Sequence, residues 1–421
     1  MAKVLFINTG SEGHINPTIA LCKSLVERGE EVVYYMGDQY VDKFKDTGVE
    51  IRTVSTEKLV SAFTSFGSGH LFHVINGLLK TADVIMPQIL EETKDEHYDY
   101  MIYDSMFSCG YLIAQKFNIP TISAITSFAK TKPMFDSFAN FMASKLEQDE
   151  LESANLVFDT LKEHVAQTYG VKVPSRHEVM NNSGDFNISF VTKGFQLDYD
   201  AFDSAKFNFV GPSVLPPKPS GFMDNVNTDR PLIYVSLGTV FNQNVAFFNK
   251  CFSALANIDA TVIVSIGKTN KVEDFDTIPD NVIIKDYVPQ VEVLQHADLF
   301  LTHAGMNSTN EAIMLNVPLL AFPQSADQPV VANQIEHLKI GQQLDANVIT
   351  AEHLANTVTD MLTHRQTYQQ NIEAIKNVQT HTQPGYEVGA QAILDFRDNN
   401  TNNIIKPCRC VDKRHLQGFL Y

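Results

Sequence analysis

The feature that most constrains this chain is a rhythm. Short, almost wholly apolar runs alternate with longer stretches whose apolar residues recur at helical spacing. Apolar runs of this kind suit strands buried on both faces, as in a parallel sheet covered by helices. In the first half the runs are Lys3–Asn8, Glu31–Met36, Glu50–Val54, Tyr100–Tyr103 and Thr121–Ala124. In the second they are Leu232–Ser236, Thr261–Ile266, Val282–Lys285, Leu299–Thr302 and Pro318–Ala321. After the first run a helix is predicted over Pro17–Arg28, with proline in its first turn and Gly29 as the stop.

Between the halves, residues 212–221 hold four prolines and a glycine, and a polar stretch follows to Asp229. That composition marks a linker. The expected organisation is α/β, with two doubly wound Rossmann-like domains, 1–212 and 231–384, joined by a linker at 213–230. A helix at 385–398 is expected to pack back on the first domain, and the polar tail 399–421 is expected to be disordered. Two such domains facing across a cleft place a ligand between them.

Charge narrows the partners. The 49 acidic and 32 basic residues leave a formal charge of −17, a poor surface for nucleic acid or an anionic bilayer. No apolar run approaches the ~20 residues of a membrane span, and Met1–Asn8 turns polar too soon for a signal peptide. A cytoplasmic protein without stable membrane association is expected. Cys22, Cys109 and Cys251 stand singly inside predicted elements, and no Cys/His spacing suggests zinc. Cys408 and Cys410 belong to the tail. Residues 59–80 and 127–146 are rich in Phe and Met, among them Phe63, Phe66, Phe72, Phe128, Phe135 and Phe138. Such residues fill an ordinary core, or they form an adaptable pocket for an apolar ligand.

The densest motif lies in the second half. Asp286-Tyr287-Val288-Pro289-Gln290 follows one predicted strand, and His303-Ala304-Gly305 ends another. Asn307-Ser308 then opens a helix, and Asp327-Gln328 follows later. Gly305 lets a ligand approach the backbone, and the free N–H groups of a helix start bind anions. His303 and Ser308 add donors, so a diphosphate can be held without a metal. Glu311, one turn in, suits a ribose diol. Alone, the Gly305–Ser308 segment is also compatible with a plain helix cap; its neighbours favour the ligand. In the first half, residues 8–17 read as strand, glycine-rich turn and helix start, with glycines wrongly spaced for a dinucleotide fingerprint. His14 at that turn and Asp104, which follows the strand Tyr100–Tyr103, share the carboxyl edge of one sheet, where chemistry usually sits. A histidine can act as a base near neutrality when a carboxylate fixes its tautomer.

On these residues the sequence resembles the family 1 UDP-sugar-dependent glycosyltransferases of GT-B fold, and among them bacterial macrolide and flavonoid glycosyltransferases. The likeness runs from Val4 to about Phe396. It implies that Tyr287 stacks on uracil, with Val288 and Gln290 near base and ribose. His303, Gly305, Asn307 and Ser308 would hold the diphosphate, Glu311 the ribose, and Asp327 and Gln328 the sugar hydroxyls. Ser236-Leu237-Gly238-Thr239 resembles the family's other phosphate-contacting turn. His14 would be the general base and Asp104 its partner. Two departures stand out: Tyr287 occupies a position where plant members carry Trp, and the signature is slightly shorter than theirs.

The implied reaction is inverting transfer of a hexose, glucose above all, from a UDP-sugar. The acceptor would be a hydroxyl of a small apolar compound such as a flavonoid, another polyphenol or a macrolide. No metal or other cofactor is expected; Asp198-Tyr199-Asp200 has a metal-binding D-x-D form but reads as a solvated loop. One alternative is a UDP-sugar epimerase of the same fold, which would need carboxylates over the sugar. Another is a catalytically silent partner protein, which would be expected to lose His14 or Gln328.

Overall fold

Leu5 and Ile7 face one layer of helices while Val4 and Phe6 face the other, so strand β1 (Lys3–Ile7) is buried on both sides. The computed structural model describes residues 1–67, 69–217, 219–238, 243–379 and 381–405. Among these, the first sheet also contains β2 (Glu31–Gly37), β3 (Glu50–Val54), β4 (Tyr100–Asp104), β5 (Thr121–Ile125), β6 (Phe186–Ser189) and β7 (Phe207–Phe209). The second sheet contains β8 (Leu232–Ser236), β9 (Thr261–Ser265), β10 (Val282–Lys285), β11 (Leu299–Thr302), β12 (Leu319–Ala321) and β13 (Gly341–Gln343). Every pairing is parallel, in the orders β3-β2-β1-β4-β5-β6-β7 and β10-β9-β8-β11-β12-β13. The strand order therefore reverses between β1 and β4 and again between β8 and β11. At such a switch point the loops diverge and leave a crevice at the carboxyl ends of the strands.

Three strands lie outside the sequence expectation: β6, β7 and β13. They are short and carry Asn or Gln among few apolar residues, so no apolar run announces them. The first helix also differs. It spans Glu12–Glu27, so it begins five residues before the predicted Pro17 and carries His14 in its first turn. Proline ordinarily opens a helix, yet here Pro17 is interior.

The C-terminal helix spans Gly385–Ile405 and therefore runs beyond the expected end at 398. Asparagine lowers helix propensity by less than ~1 kcal/mol per residue and does not by itself stop a helix. The remainder of the expected tail, 406–421, lies outside the described residues. This helix returns to the first domain, where Ala390 and Ile393 join Leu21 and Leu25 in the core. Its start meets the residue just before the linker, since Gly385 N–H donates to the Pro212 carbonyl at 3.0 Å. The halves also share a core: Phe128, Val191 and Phe195 of the first pack with Val331, Ile335 and Ile375 of the second.

Arg397, near the end of the helix, pairs with Glu30, whose carboxylate is buried and also accepts the Tyr100 hydroxyl at 2.7 Å. Removing one partner of a buried pair costs about 3 kcal/mol. Arg397→Met should therefore lower the urea midpoint markedly, and adding Glu30→Gln should recover most of the loss. Equal stability of Arg397→Met and the parent chain would contradict this role.

Candidate active site

At the first switch point, the helix after β1 supplies His14 and the last residue of β4 supplies Asp104. His14 Nδ1 lies 2.8 Å from Asp104 Oδ2. The other carboxylate oxygen, Oδ1, accepts the N–H groups of Met106 and Phe107 at 2.9 and 2.7 Å. Asp104 is fully buried, so these bonds replace its water. An ionised carboxylate only accepts, which puts the imidazole proton on Nδ1 and leaves Nε2 for a substrate. Thr126 Oγ1, just past β5, lies 2.9 Å from the same Nδ1.

Residues that sequence reasoning missed shape this corner. Asn8, fully buried, donates from Nδ2 to the His14 carbonyl at 3.0 Å and accepts the Gly10 N–H at 3.1 Å. A Cβ at Gly10 would come 2.7 Å from His14 Cβ, so the histidine needs glycine there. The Phe107 ring meets the imidazole edge-on at 4.8 Å, and Phe63 meets Phe107 at 5.4 Å. The one available signal was an asparagine closing an otherwise apolar strand.

Burial works against a charged imidazole at His14, but the Asp104 carboxylate, by charge and hydrogen bond, and Asp327 act the other way. They outweigh burial and the Lys130 amine, so the His14 pKa is raised above the usual 6.5. Lys130, also unforeseen, has its own pKa lowered by burial against the pull of Asp327.

The second switch point holds His303. Its ring fills the space beside Gly238 and Gly305: a Cβ at either would come within 2.6 or 2.4 Å of it. Gly238 further sits at φ +74° and donates its N–H to Ser236 Oγ at 3.2 Å. The sequence expectation that Gly305 admits a ligand is joined by a nearer role: its missing side chain admits the His303 imidazole. Burial, partly offset by Asp327 and the Ser236 backbone, pushes His303 down to about 4. It is thus neutral near pH 7 and brings no charge to the site.

Gly305 caps the helix Met306–Met314, whose first N–H groups have no acceptor within the helix itself, as at an anion site. Gln290 Nε2 donates to Ser308 Oγ at 3.1 Å and to Glu311 Oε2 at 2.6 Å, while its Oε1 accepts the Tyr234 hydroxyl at 3.2 Å. Burial pushes Glu311 up to about 7, with the Gln290 donor opposing. Tyr287 is 74% exposed, a free flat face, whereas the Val288 side chain is in the core, leaving its backbone for any ligand.

Two residues reach across the cleft. Asn307 Nδ2 donates to the Gly13 carbonyl at 2.8 Å, and Asp327 Oδ2 accepts the Ser127 hydroxyl at 2.6 Å. Gln328 is buried, and its Oε1 accepts the N–H groups of Gln324 and Ser325 at 2.8 and 3.2 Å, leaving its amide nitrogen for a ligand. Thr239 lies outside the described residues. Of the Phe- and Met-rich stretches, Phe72, Phe128 and Phe135 are buried, whereas Phe63, Phe66, Phe138 and Met142 are half-buried against the first core. Among the described residues, no three His, Cys, Asp or Glu side chains gather as a metal site. No helix of the described residues is long and apolar enough to cross a membrane.

The sequence matches the family of UDP-glucoronosyl and UDP-glucosyl transferases over residues 53–385. It is 33% identical over 375 residues to the UDP-glucosyltransferase YojK of Bacillus subtilis strain 168, covering 87% of this chain and 90% of that one. It is 33% identical over 382 residues to the NDP-glycosyltransferase YjiC of the same organism, covering 89% and 92%. Among solved structures, the glycotransferase of kitacinnamycin superposes with a TM-score of 0.79 over 94% of this chain and 98% of that one. At 22% identity that likeness concerns the fold alone. None of these matches supports an epimerase.

The opposite displacements of the two histidines are measurable by NMR titration of labelled imidazoles. His14 should titrate above 6.5 and His303 near 4. Asp104→Asn should bring His14 down, because burial then meets only the weaker pull of Asp327. A His14 midpoint at or below 6.5 in the parent chain would overturn this account of the pair.

Proposed function

The chain belongs to the UDP-glycosyltransferase family and is a glycosyltransferase of GT-B fold, and from that premise we propose that it transfers a hexose, with inversion, from a UDP-sugar to a hydroxyl of a small apolar acceptor. The observation that carries this reading is the bond of 2.8 Å between His14 and Asp104. It lies one residue from Gly13, which touches the donor-side helix through Asn307.

In the proposed reaction His14 Nε2 takes the acceptor hydroxyl proton. The oxygen attacks the anomeric carbon from the face opposite UDP, and the bond from that carbon to the diphosphate breaks with its electron pair staying on UDP. Asp104 stabilises the imidazolium that forms. The helix start at Met306–Ser308, beside His303, receives the charge that develops on the leaving diphosphate. We assign Tyr287 to uracil and Glu311, set by Gln290, to the ribose. Ser236, Gly238 and Thr239 are assigned to the diphosphate turn. Asp327 and the Gln328 amide are assigned to the sugar hydroxyls, and glucose is the hexose proposed. Phe63, which meets Phe107, and the half-buried Phe66, Phe138 and Met142 on the same core suit a flavonoid, another polyphenol or a macrolide. We propose a cytoplasmic setting and a reaction without metal.

A base must be unprotonated, so activity is lost as pH falls through the raised His14 pKa. The acid limb of kcat/KM should therefore lie above pH 6.5 and move to lower pH in Asp104→Asn. His14→Ala should lose ~10²–10⁴ in transfer to an aliphatic alcohol while UDP binding persists. Full turnover by His14→Ala, or loss of UDP affinity in step with activity, would defeat the assignment.

Compensation of the diphosphate by backbone donors carries a separate expectation: excess chelator leaves turnover unchanged. Loss on chelation, with recovery on adding magnesium or manganese, would show that a cation is required.

A further inference from the structure

Pro17 lies inside the catalytic helix, where proline ordinarily costs stability. It has no N–H to offer the carbonyl four residues back, and its ring pushes that carbonyl outward. The carbonyl is Gly13's, immediately before His14. It is not left without a partner: Asn307 Nδ2, on the donor-side helix of the other half, donates to it at 2.8 Å. The next carbonyl, that of His14, accepts Asn8 Nδ2 at 3.0 Å. The peptide groups on both sides of His14 are thus held by asparagine amides, one from each half. Beside this contact a cavity of about 220 Å³, lined by Pro17, Asn307, Leu215 and Glu311 among others, separates the first helix from the linker and the donor-side helix. Close packing does not fill that space, so the hydrogen bond has room to decide the spacing.

We propose that Pro17 and Asn307 are positioning residues for His14: the proline keeps the Gly13 carbonyl out of the helix so that Asn307 can register the base against the bound donor. This rests on the reading of the cleft as a UDP-sugar transferase. An Asn amide carries two N–H groups. One can hold Gly13 while the other reaches the diphosphate, which a hydroxyl or a carboxylate in its place could not do.

The test is Pro17→Ala, which alters no group assigned to UDP. Residue 17 regains an N–H, the helix closes its own bond to Gly13, and that carbonyl is drawn back along the helix axis and away from Asn307. Displacement of about 1 Å at a reacting group can cost up to ~10²-fold, so kcat should fall at least tenfold, on the order of that range. The UDP dissociation constant should change less than about twofold, and the thermal midpoint should hold or rise, since a helix interior gains a bond. Asn307→Ala alone should lower kcat and weaken UDP binding; in the Pro17→Ala background it should lower kcat little further. Hydrogen exchange gives a readout apart from turnover. UDP should slow exchange in residues 12–20 of the parent chain and leave them unchanged in Pro17→Ala.

Parent-level kcat in Pro17→Ala, additive kcat losses in the double variant, or a loss that follows a falling thermal midpoint would each overturn the proposal. A parent chain that binds no UDP would overturn the transferase reading, and the proposal with it. Binding of UDP with equal protection in both chains would overturn the proposal alone.

Discussion

Asp104 is a carboxylate shut away from water, and the cleft is organised around satisfying it. Leaving such a charge unpaired costs several kcal/mol. The loop after β4 therefore turns so that Met106 and Phe107 present their N–H groups to one oxygen, and the other oxygen needs a donor from outside. The first turn of the neighbouring helix brings His14 to that oxygen, and the chain can come that close because residue 10 has no side chain. The orientation of the imidazole and the identity of its free nitrogen follow from the needs of the carboxylate.

The two histidines show how far surroundings set chemistry. Each follows the central strand of a parallel sheet at its switch point, and each is seated against glycine. His14 touches an ionised carboxylate and has its pKa raised; His303 feels Asp327 only at a distance and is pushed down to about 4. The surroundings of one favour its protonated form, and those of the other keep it neutral. Residue type alone does not separate these roles; the contact of 2.8 Å does.

The central strands were legible because burial on both faces demands unbroken apolar runs. The site segments were legible because they follow those strands. Edge strands such as β13, Gly341–Gln343, were not, since a strand of that length leaves no period to read. The start of the first helix differs from the expectation because proline normally opens helices, whereas the N–H that Pro17 lacks is replaced by a donor from across the cleft, the Asn307 amide. Asn307 and Asp327 were singled out as ligand-binding types. That they also bond Gly13 and Ser127 depends on where two separate sheets come to rest, which no local pattern encodes.

The return of the C-terminal helix to the first domain means that the chain passes between the halves twice. The passages meet where Gly385 bonds the Pro212 carbonyl. A second passage, together with the core that Phe128, Val191 and Phe195 share with Val331, Ile335 and Ile375, pins the halves to each other at more than one place. The register in which the two faces of the cleft meet is thereby set by covalent chain and buried packing together, and not by the linker alone.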